Sequence, residues 1–81
     1  MESRVALIGI IVENYNSINE LNSILHDYRN FIISRMGLPY RAKNLNVISI
    51  GIDAPIDTIN ALTGKIGNLD GITSKTIISK E

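Results

Sequence analysis

The sequence predicts an α+β fold, a ferredoxin-like βαββαβ sandwich whose four-stranded antiparallel sheet carries two helices on one face. Two observations lead to this fold. Four short segments rich in β-branched residues alternate with two segments of helical apolar spacing, in the order strand, helix, strand, strand, helix, strand. Each right-handed crossover leaves room for one strand between the two strands it joins, so interleaving the crossovers gives the spatial order 4-1-3-2. A chain of 81 residues without a linker is expected to form one domain over residues 1–81.

The first half of the chain begins with a strand and continues into a helix. Residues 5–12 read VALIGIIV, which predicts a strand buried on both faces. Ser17 and Glu20 have the spacing of a capping box, in which a hydroxyl and a carboxylate each bond a free backbone N–H, so the helix is expected to start there. The apolar residues that follow fall at helical spacing and form one stripe: Ile18, Leu21, Ile24, Leu25 and Tyr28.

Two strands are predicted in the middle of the chain. Residues 31–36 form the second strand, which is expected to close at Gly37 and Pro39 because proline cannot donate to a β-ladder, and a hairpin loop follows. Residues 45–53 form the third strand. Its alternation places bulky side chains on one face and mostly small ones on the other. The bulky residues are Ile48, Ile50 and Ile52, and the opposite face has Val47, Ser49 and Gly51.

The second helix is predicted to start at Pro55, which suits the first helical position, and to stop at Gly67 or Asn68. Its apolar stripe is Ile56, Ile59, Leu62 and Ile66. Gly64 costs the helix up to about 1 kcal/mol relative to alanine, and close packing against the sheet is its expected explanation. Residues 72–79 form the last strand.

The predicted fold leaves one face of the sheet without helices, although the first strand is apolar on both sides. At roughly 25 cal/mol per Å² of apolar area, covering a few hundred Å² offers several kcal/mol, which is comparable with the whole stability of a small domain. We therefore expect the chain to associate with copies of itself through this face, as a dimer or tetramer. The alternative is a monomer with a hydrophobic surface.

Composition narrows the classes of partner. Eight basic and eight acidic residues balance, so there is no overall positive field, and neither nucleic acid nor an anionic membrane is an expected partner. The chain has no cysteine, which excludes disulfides and thiolate metal sites and fits a cytoplasmic location. The longest apolar run, residues 5–12, is too short to span a membrane and is not preceded by a basic signal region, so the mature chain is expected to begin at Met1.

Catalytic and metal-binding patterns are weak. His26 is the one histidine, and its position in the last turn of the first helix suits the helix dipole better than a metal or a catalytic relay. Asp53 and Asp57 are explained by the end of a strand and the start of a helix. Gly64 and Lys65 lack the remaining residues of a phosphate loop. We therefore predict neither an enzyme nor a cofactor nor a metal site.

Charge order gives two candidate effector sites. From Arg29 to Lys43 every charged residue is basic, so a cationic patch is expected at the hairpin, where Arg35 and Arg41 would bind a carboxylate or phosphate beside Tyr40. The second site is the polar loop before the first helix. It comprises Glu13, Asn14 and Asn16. Each site also has a structural explanation without a ligand. The arginines of the hairpin would be solvated or paired with the acidic helix of another subunit, and the polar loop residues would form the turn and cap the helix.

Four stretches resemble one known family. They are RVALIGIIVE at residues 4–13, RMGLPYR at 35–41, NVISIGID at 46–53 and ALTGKIGNLDGI at 61–72. Together they resemble the small regulators of the iron-only hydrogenase system, a family similar to ACT domains and to the effector domain of nickel-responsive repressors. The resemblance implies a regulatory or sensory subunit connected with hydrogenase, with an effector bound near subunit boundaries. We therefore predict a non-enzymatic, ACT-like domain that forms homo-oligomers and binds a small anionic effector or a protein partner.

Two departures limit what the resemblance implies. Nickel repressors bind their metal through several histidines and a cysteine, whereas this chain has one histidine and no cysteine. They also have a ribbon-helix-helix region before the effector domain, whereas here the first strand begins almost at residue 1. In addition, ACT domains often have a glycine in the loop that residues 13–16 occupy, whereas these residues include none. One alternative function is an oligomeric transcriptional regulator that binds DNA through Arg29, Arg35, Arg41 and Lys43. A second alternative is an enzyme that acts at a subunit interface and depends on His26 and Asp57.

Overall fold

A computed structural model describes residues 2–80 and confirms the predicted α+β fold. Its strands are β1 (Arg4–Val12), β2 (Ile32–Tyr40), β3 (Leu45–Ala54) and β4 (Ile72–Ile78). Its helices are α1 (Ile18–Asp27) and α2 (Ile56–Gly67), and short 3-10 turns span Tyr15–Ser17, Arg29–Phe31 and Arg41–Lys43. The sheet order is β2-β3-β1-β4 and every neighbouring pair is antiparallel, as the crossover rule predicts.

The hydrophobic core lies between the sheet and the two helices. Alternate residues of the central strands β1 and β3 point into it, because successive side chains of a strand face opposite sides. The helices contribute the buried centres of the two predicted stripes, which confirms their apolar faces. The core residues are Ala6, Ile8, Ile10, Val12, Leu21, Leu25, Ile48, Ile50, Ile52, Ala54, Ile59, Leu62 and Ile66.

Burial of β1 differs from the prediction. The strand is buried on one face only within the chain, while Val5, Leu7 and Gly9 on its other face are exposed. The reason is that both helices lie on the same side of the sheet, which leaves nothing within one chain to cover the opposite side.

The start of α1 is predicted correctly, but the capping box is not present. Ser17 precedes the helix, yet its side chain makes no capping hydrogen bond to the helix backbone. Its hydroxyl instead donates to the backbone carbonyl of Asp70, at 2.6 Å. The turn before the helix is capped one step earlier, where the side chain of Asn14 accepts from the N–H of Asn16.

Strand β2 is longer than predicted. It continues through Gly37 and Pro39 to Tyr40, instead of closing there. Proline is tolerated because β2 pairs only with β3 and lies at the edge of the sheet. A bulge lies between Ile32 and Ser34, and the connection to β3 ends at Asn44, which has φ 56°.

Helix α2 begins one residue later than predicted, at Ile56, with Pro55 as its N-cap. It ends at Gly67 with Asn68 as its C-cap, as expected. Gly64 does not pack closely on the sheet: it is exposed, and a Cβ at this position would meet no atom within 4 Å. Its presence in the helix therefore has no steric explanation. Within residues 2–80, neither helix is long and apolar enough to cross a membrane.

Candidate effector sites and the open face of the sheet

On the side of the sheet opposite the helices, here called the open face, the exposed Lys75 of β4 lies beside Gly9 of β1. The same face exposes eight large apolar side chains. They come from all four strands, and each is 41–74% exposed. Their register places them side by side: Leu7 lies opposite Ile77 on β4, and Leu38 lies opposite Val47 on β3. The set is Val5, Leu7, Ile33, Met36, Leu38, Tyr40, Val47 and Ile77.

Small residues make the centre of the open face concave. Gly9 and Ser49 are direct partners on β1 and β3, and a depression of about 330 Å³ lies around them. Gly51 lies under a second depression of about 380 Å³, bordered by Leu7 and Ile77. Apolar ridges thus alternate with shallow hollows, a relief that can interdigitate with another apolar surface.

The predicted site before α1 is held by the turn between α2 and β4. The backbone N–H of Glu13 donates to the carbonyl of Gly71 at 2.7 Å. The amide of Asn14 donates from Nδ2 to Oδ2 of Asp70 at 3.0 Å, while its Oδ1 accepts from the N–H of Asn16 at the same distance. These bonds occupy both ends of the Asn14 amide. The side chains of Glu13 and Asn16 are exposed and remain the candidates for contact with a ligand.

Gly71 makes this junction possible. Its φ of +68° is favourable for glycine, and a Cβ here would overlap the Cβ of Asn14. The loop and the turn are therefore in van der Waals contact, and the position of residues 13–16 is fixed by the chain around them.

The predicted hairpin site is not brought together within one chain. Arg35 lies on the helix side of β2, opposite Ile50, while Tyr40 is on the open face and Arg41 is in the turn beyond the strand. Six residue steps of extended strand separate the two arginines by about 20 Å. One small anion cannot contact both.

The cationic patch is also more extended than predicted. Arg29 precedes β2, Arg35 is in its middle, and Arg41 and Lys43 follow its far end. The four basic residues are therefore distributed along the whole length of an edge strand. The residues expected at one hairpin loop are spread out because the strand continues through the segment that was expected to be the loop.

A different set of residues surrounds a groove between α1 and β2, here called the α1–β2 groove. It has a volume of about 300 Å³ and is lined by Asn22, Leu25, His26, Arg29, Ile32 and Arg35. A neighbouring hollow of about 240 Å³ shares Asn22 and Arg35 and extends the groove towards Pro39 and Asn46. Sequence reasoning missed Asn22 and His26 as part of a site with Arg35, and it grouped Arg29 with Arg35 by charge alone. The signal was available, since Asn22 and His26 are four residues apart and share one face of α1.

Both arginines of the α1–β2 groove bond neutral oxygen atoms. Arg35 donates from Nη2 to Oδ1 of Asn22 at 2.7 Å, and Arg29 donates from Nη1 to the backbone carbonyl of His26 at 2.9 Å. These bonds hold both guanidinium groups near the groove without neutralising them. Among residues 2–80 there is no group of three histidine, cysteine, aspartate or glutamate side chains able to hold a metal ion.

Sheet order, helix placement and the uncovered apolar face define a small α+β domain compatible with the ferredoxin-like, ACT-like class. The chain belongs to the family described as "TM1266-like: Iron-only hydrogenase system regulator, putative", whose family model matches residues 4–76. This confirms the resemblance seen in the sequence. No curated protein sequence matches the chain.

Solved structures support the same assignment. The uncharacterized protein TM1266 from Thermotoga maritima is 32% identical and has a TM-score of 0.93, with 98% of this chain and 100% of that chain covered. A formyltetrahydrofolate deformylase from Pseudomonas putida is 10% identical with a TM-score of 0.68, and the match covers 95% of this chain and 29% of the deformylase. The de novo designed protein Foldit4 is 18% identical with a TM-score of 0.63, over 99% of both chains. The last two show the fold alone.

Proposed function

We propose that the chain is a non-enzymatic regulatory domain of the cytoplasm that assembles with copies of itself through the open face and binds a small effector. Membership in the hydrogenase-regulator family supports the regulatory role. The observation that carries the assembly is the open face, which exposes eight large hydrophobic side chains from all four strands. A surface of this kind typically marks a contact with another molecule.

The area of the open face matches what a dimer needs. The eight exposed side chains offer on the order of 500 Å² of apolar surface, if each contributes about 100 Å² when fully exposed. A standard interface has roughly 800 Å² per partner, of which somewhat more than half is apolar. One copy of the same chain therefore supplies a partner surface of the correct size and chemistry.

Two-fold symmetry suits the relief of this surface. In a symmetric dimer the same patch meets itself, and an axis placed between ridge and hollow would let the apolar ridges of one chain pack into the hollows at Gly9 and Gly51 of the other. Two sheets packed face to face lie about 10 Å apart with interleaved side chains. The chain length also favours association, because a domain of this size has a small core of its own.

Substitution at Leu7 tests the assembly. Leu7→Asp puts a carboxylate inside the proposed interface, and burying that charge in a dimer carries a large desolvation cost. We expect a dissociation constant raised at least about 100-fold, measured by sedimentation velocity. Asn19→Asp is the matched control, since it adds the same charge at an exposed position on α1.

Three outcomes have a definite meaning. A folded Leu7→Asp monomer beside an oligomeric Asn19→Asp protein supports the assembly. Unchanged mass for both variants excludes the open face as the interface. If Leu7→Asp fails to fold, Leu7→Lys and Met36→Lys place a charge on the same face and are read in the same way, with circular dichroism confirming their secondary structure.

A further inference from the structure

We propose that the α1–β2 groove is a binding site for a small organic carboxylate, held by the guanidinium groups of Arg35 and Arg29. The inference deepens the effector-binding part of the proposed function and rests on it, but it does not depend on self-association. It differs from both sites that the sequence suggested, because Tyr40, Arg41 and the loop before α1 lie outside the groove.

The position of Arg35 in the sheet is the first observation. Its register partner, Ile50, is fully buried, so Arg35 is on the side of β2 that faces the helices. An apolar residue would be expected on that side of the sheet. The guanidinium instead crosses to α1 and donates one N–H to Oδ1 of Asn22. Arginine has five N–H donors in a planar fork, so most of them remain for a ligand.

Asn22 also gains a defined orientation from this bond. Since its Oδ1 accepts from Arg35, the donating Nδ2 group of the same amide remains free to bond an acceptor. A carboxylate has acceptor capacity only, and it matches the forked donors of arginine. The pair thus supplies donors suited to one carboxylate.

Arg29 adds the second positive charge. It lies just after α1 and is held by its bond to the backbone carbonyl of His26. His26 also lines the groove. The bond also brings a positive charge to a carbonyl in the last turn of α1, where it offsets the negative end of the helix dipole. Among the described residues that line the groove none is acidic, so neither arginine has a competing carboxylate.

Two apolar side chains in the lining favour an organic ligand over an inorganic ion. Leu25 and Ile32 form the wall beside the two arginines. The adjoining hollow gives a short aliphatic chain room to extend past Arg35 towards Pro39. Small-molecule sites typically combine such apolar walls with a few polar groups that fix the orientation of the ligand.

A purely structural role would account for only part of this arrangement. The bond from Arg35 to Asn22 could serve to fasten the edge strand to α1. Fastening the strand to α1 does not explain why Arg29 and His26 also line the groove. Nor does it explain why Arg29 bonds a neutral carbonyl oxygen instead of a carboxylate. Removal of Arg29 therefore separates the two roles, since the Arg35–Asn22 bond stays intact.

The test is a titration followed by backbone amide chemical shifts, with hexanoate as the probe. Hexanol has the same number of carbon atoms without the charge, and inorganic phosphate has charge without the chain. We expect saturable shifts centred on residues 22–35 with hexanoate, and at least tenfold weaker binding of the other two compounds. Arg35→Gln and Arg29→Gln are expected to weaken hexanoate binding at least fivefold, and added salt should weaken it further.

Arg41→Gln is the matched control, because it removes the same charge from the far end of β2 and should change the affinity less than twofold. Equal weakening by Arg41→Gln, equal binding of hexanol or phosphate, or full binding by Arg29→Gln would each overturn the proposal. Light scattering on the same samples separates the two proposals. An oligomer that does not bind hexanoate contradicts only the groove, and a monomer that binds it contradicts only the self-association.

Discussion

Two glycines illustrate how differently single residues contribute to this fold. Gly71 has a left-handed backbone and lies against Asn14, so a side chain there has neither the conformation nor the space it needs. Gly64 lies on the exposed side of α2 with open space around it. The sequence alone does not separate these cases, because the contact at Gly71 is made by a residue 57 positions earlier in the chain.

Alanine at these two positions should have opposite effects on the free energy of unfolding. Gly64→Ala is expected to raise it by about 0.5–1 kcal/mol, since alanine restricts the unfolded chain and favours a helix. Gly71→Ala is expected to lower it by about 1–2 kcal/mol from the left-handed backbone alone, with the overlap at Asn14 adding to the loss. Urea denaturation measures both. A loss of stability in Gly64→Ala would show that the helix surface at residue 64 is covered in the folded protein.

Residue side chains also show why the candidate site was only partly predictable. Arg35 was identified from its charge, and it does line a groove. One chain does not bring it together with Arg41, because the bulge between Ile32 and Ser34 and the length of β2 determine the side and the end of the strand at which each arginine lies. Neither feature has a clear signal in the local sequence.

At the scale of elements, the start of α1 depends on a contact with a distant turn. The hydroxyl of Ser17 bonds the carbonyl of Asp70, and the residue is buried, so the junction of β1 and α1 is fastened to the junction of α2 and β4. The Ser17–Glu20 spacing predicted the correct start for the helix with the wrong bond. Local spacing contains no information about a carbonyl 53 residues away.

Alanine substitutions at Ser17 and Glu20 distinguish the hydrogen bond from Ser17 to the Asp70 carbonyl from a capping box. Ser17→Ala should lower the free energy of unfolding by about 1–3 kcal/mol, because it leaves the Asp70 carbonyl without its donor in a partly buried place. Glu20→Ala should cost only a few tenths of a kcal/mol, the contribution of an exposed charge near a helix N-terminus. Thermal unfolding at several salt concentrations gives both values. Equal losses for the two variants would favour the reciprocal capping bonds.

At the scale of the whole molecule, the topology was predictable because two general rules, apolar patterning and crossover handedness, are sufficient to determine it. Alternating apolar patterns identified the strands and the helices, and crossover handedness then left one sensible strand order. The same alternation in β3 correctly assigned Ile48, Ile50 and Ile52 to the core. Strand ends were less accurate, since the edge position of β2 decides whether Pro39 is tolerated.

The open face follows from this topology, since both helices lie on the other side of the sheet. Most of its apolar side chains come from the residues of β1 and β2 that point away from the helices, and no part of the described chain covers them. Self-association and effector binding would then use separate surfaces, because the α1–β2 groove lies on the helix side. A ligand in the groove could contact the edge strand that also contributes Met36 and Leu38 to the open face.

The most direct measurement of the central claim is the solvent exposure of methyl groups in the unmodified protein, from paramagnetic relaxation by a soluble gadolinium chelate. Within one chain, Leu7 is 47% and Ile77 is 70% exposed. Ala61 on α2 is the exposed reference, and Ile59 is the buried one. Self-association through the open face predicts that the Leu7 and Ile77 methyls are protected like those of Ile59. Relaxation as strong as that of Ala61 would contradict it.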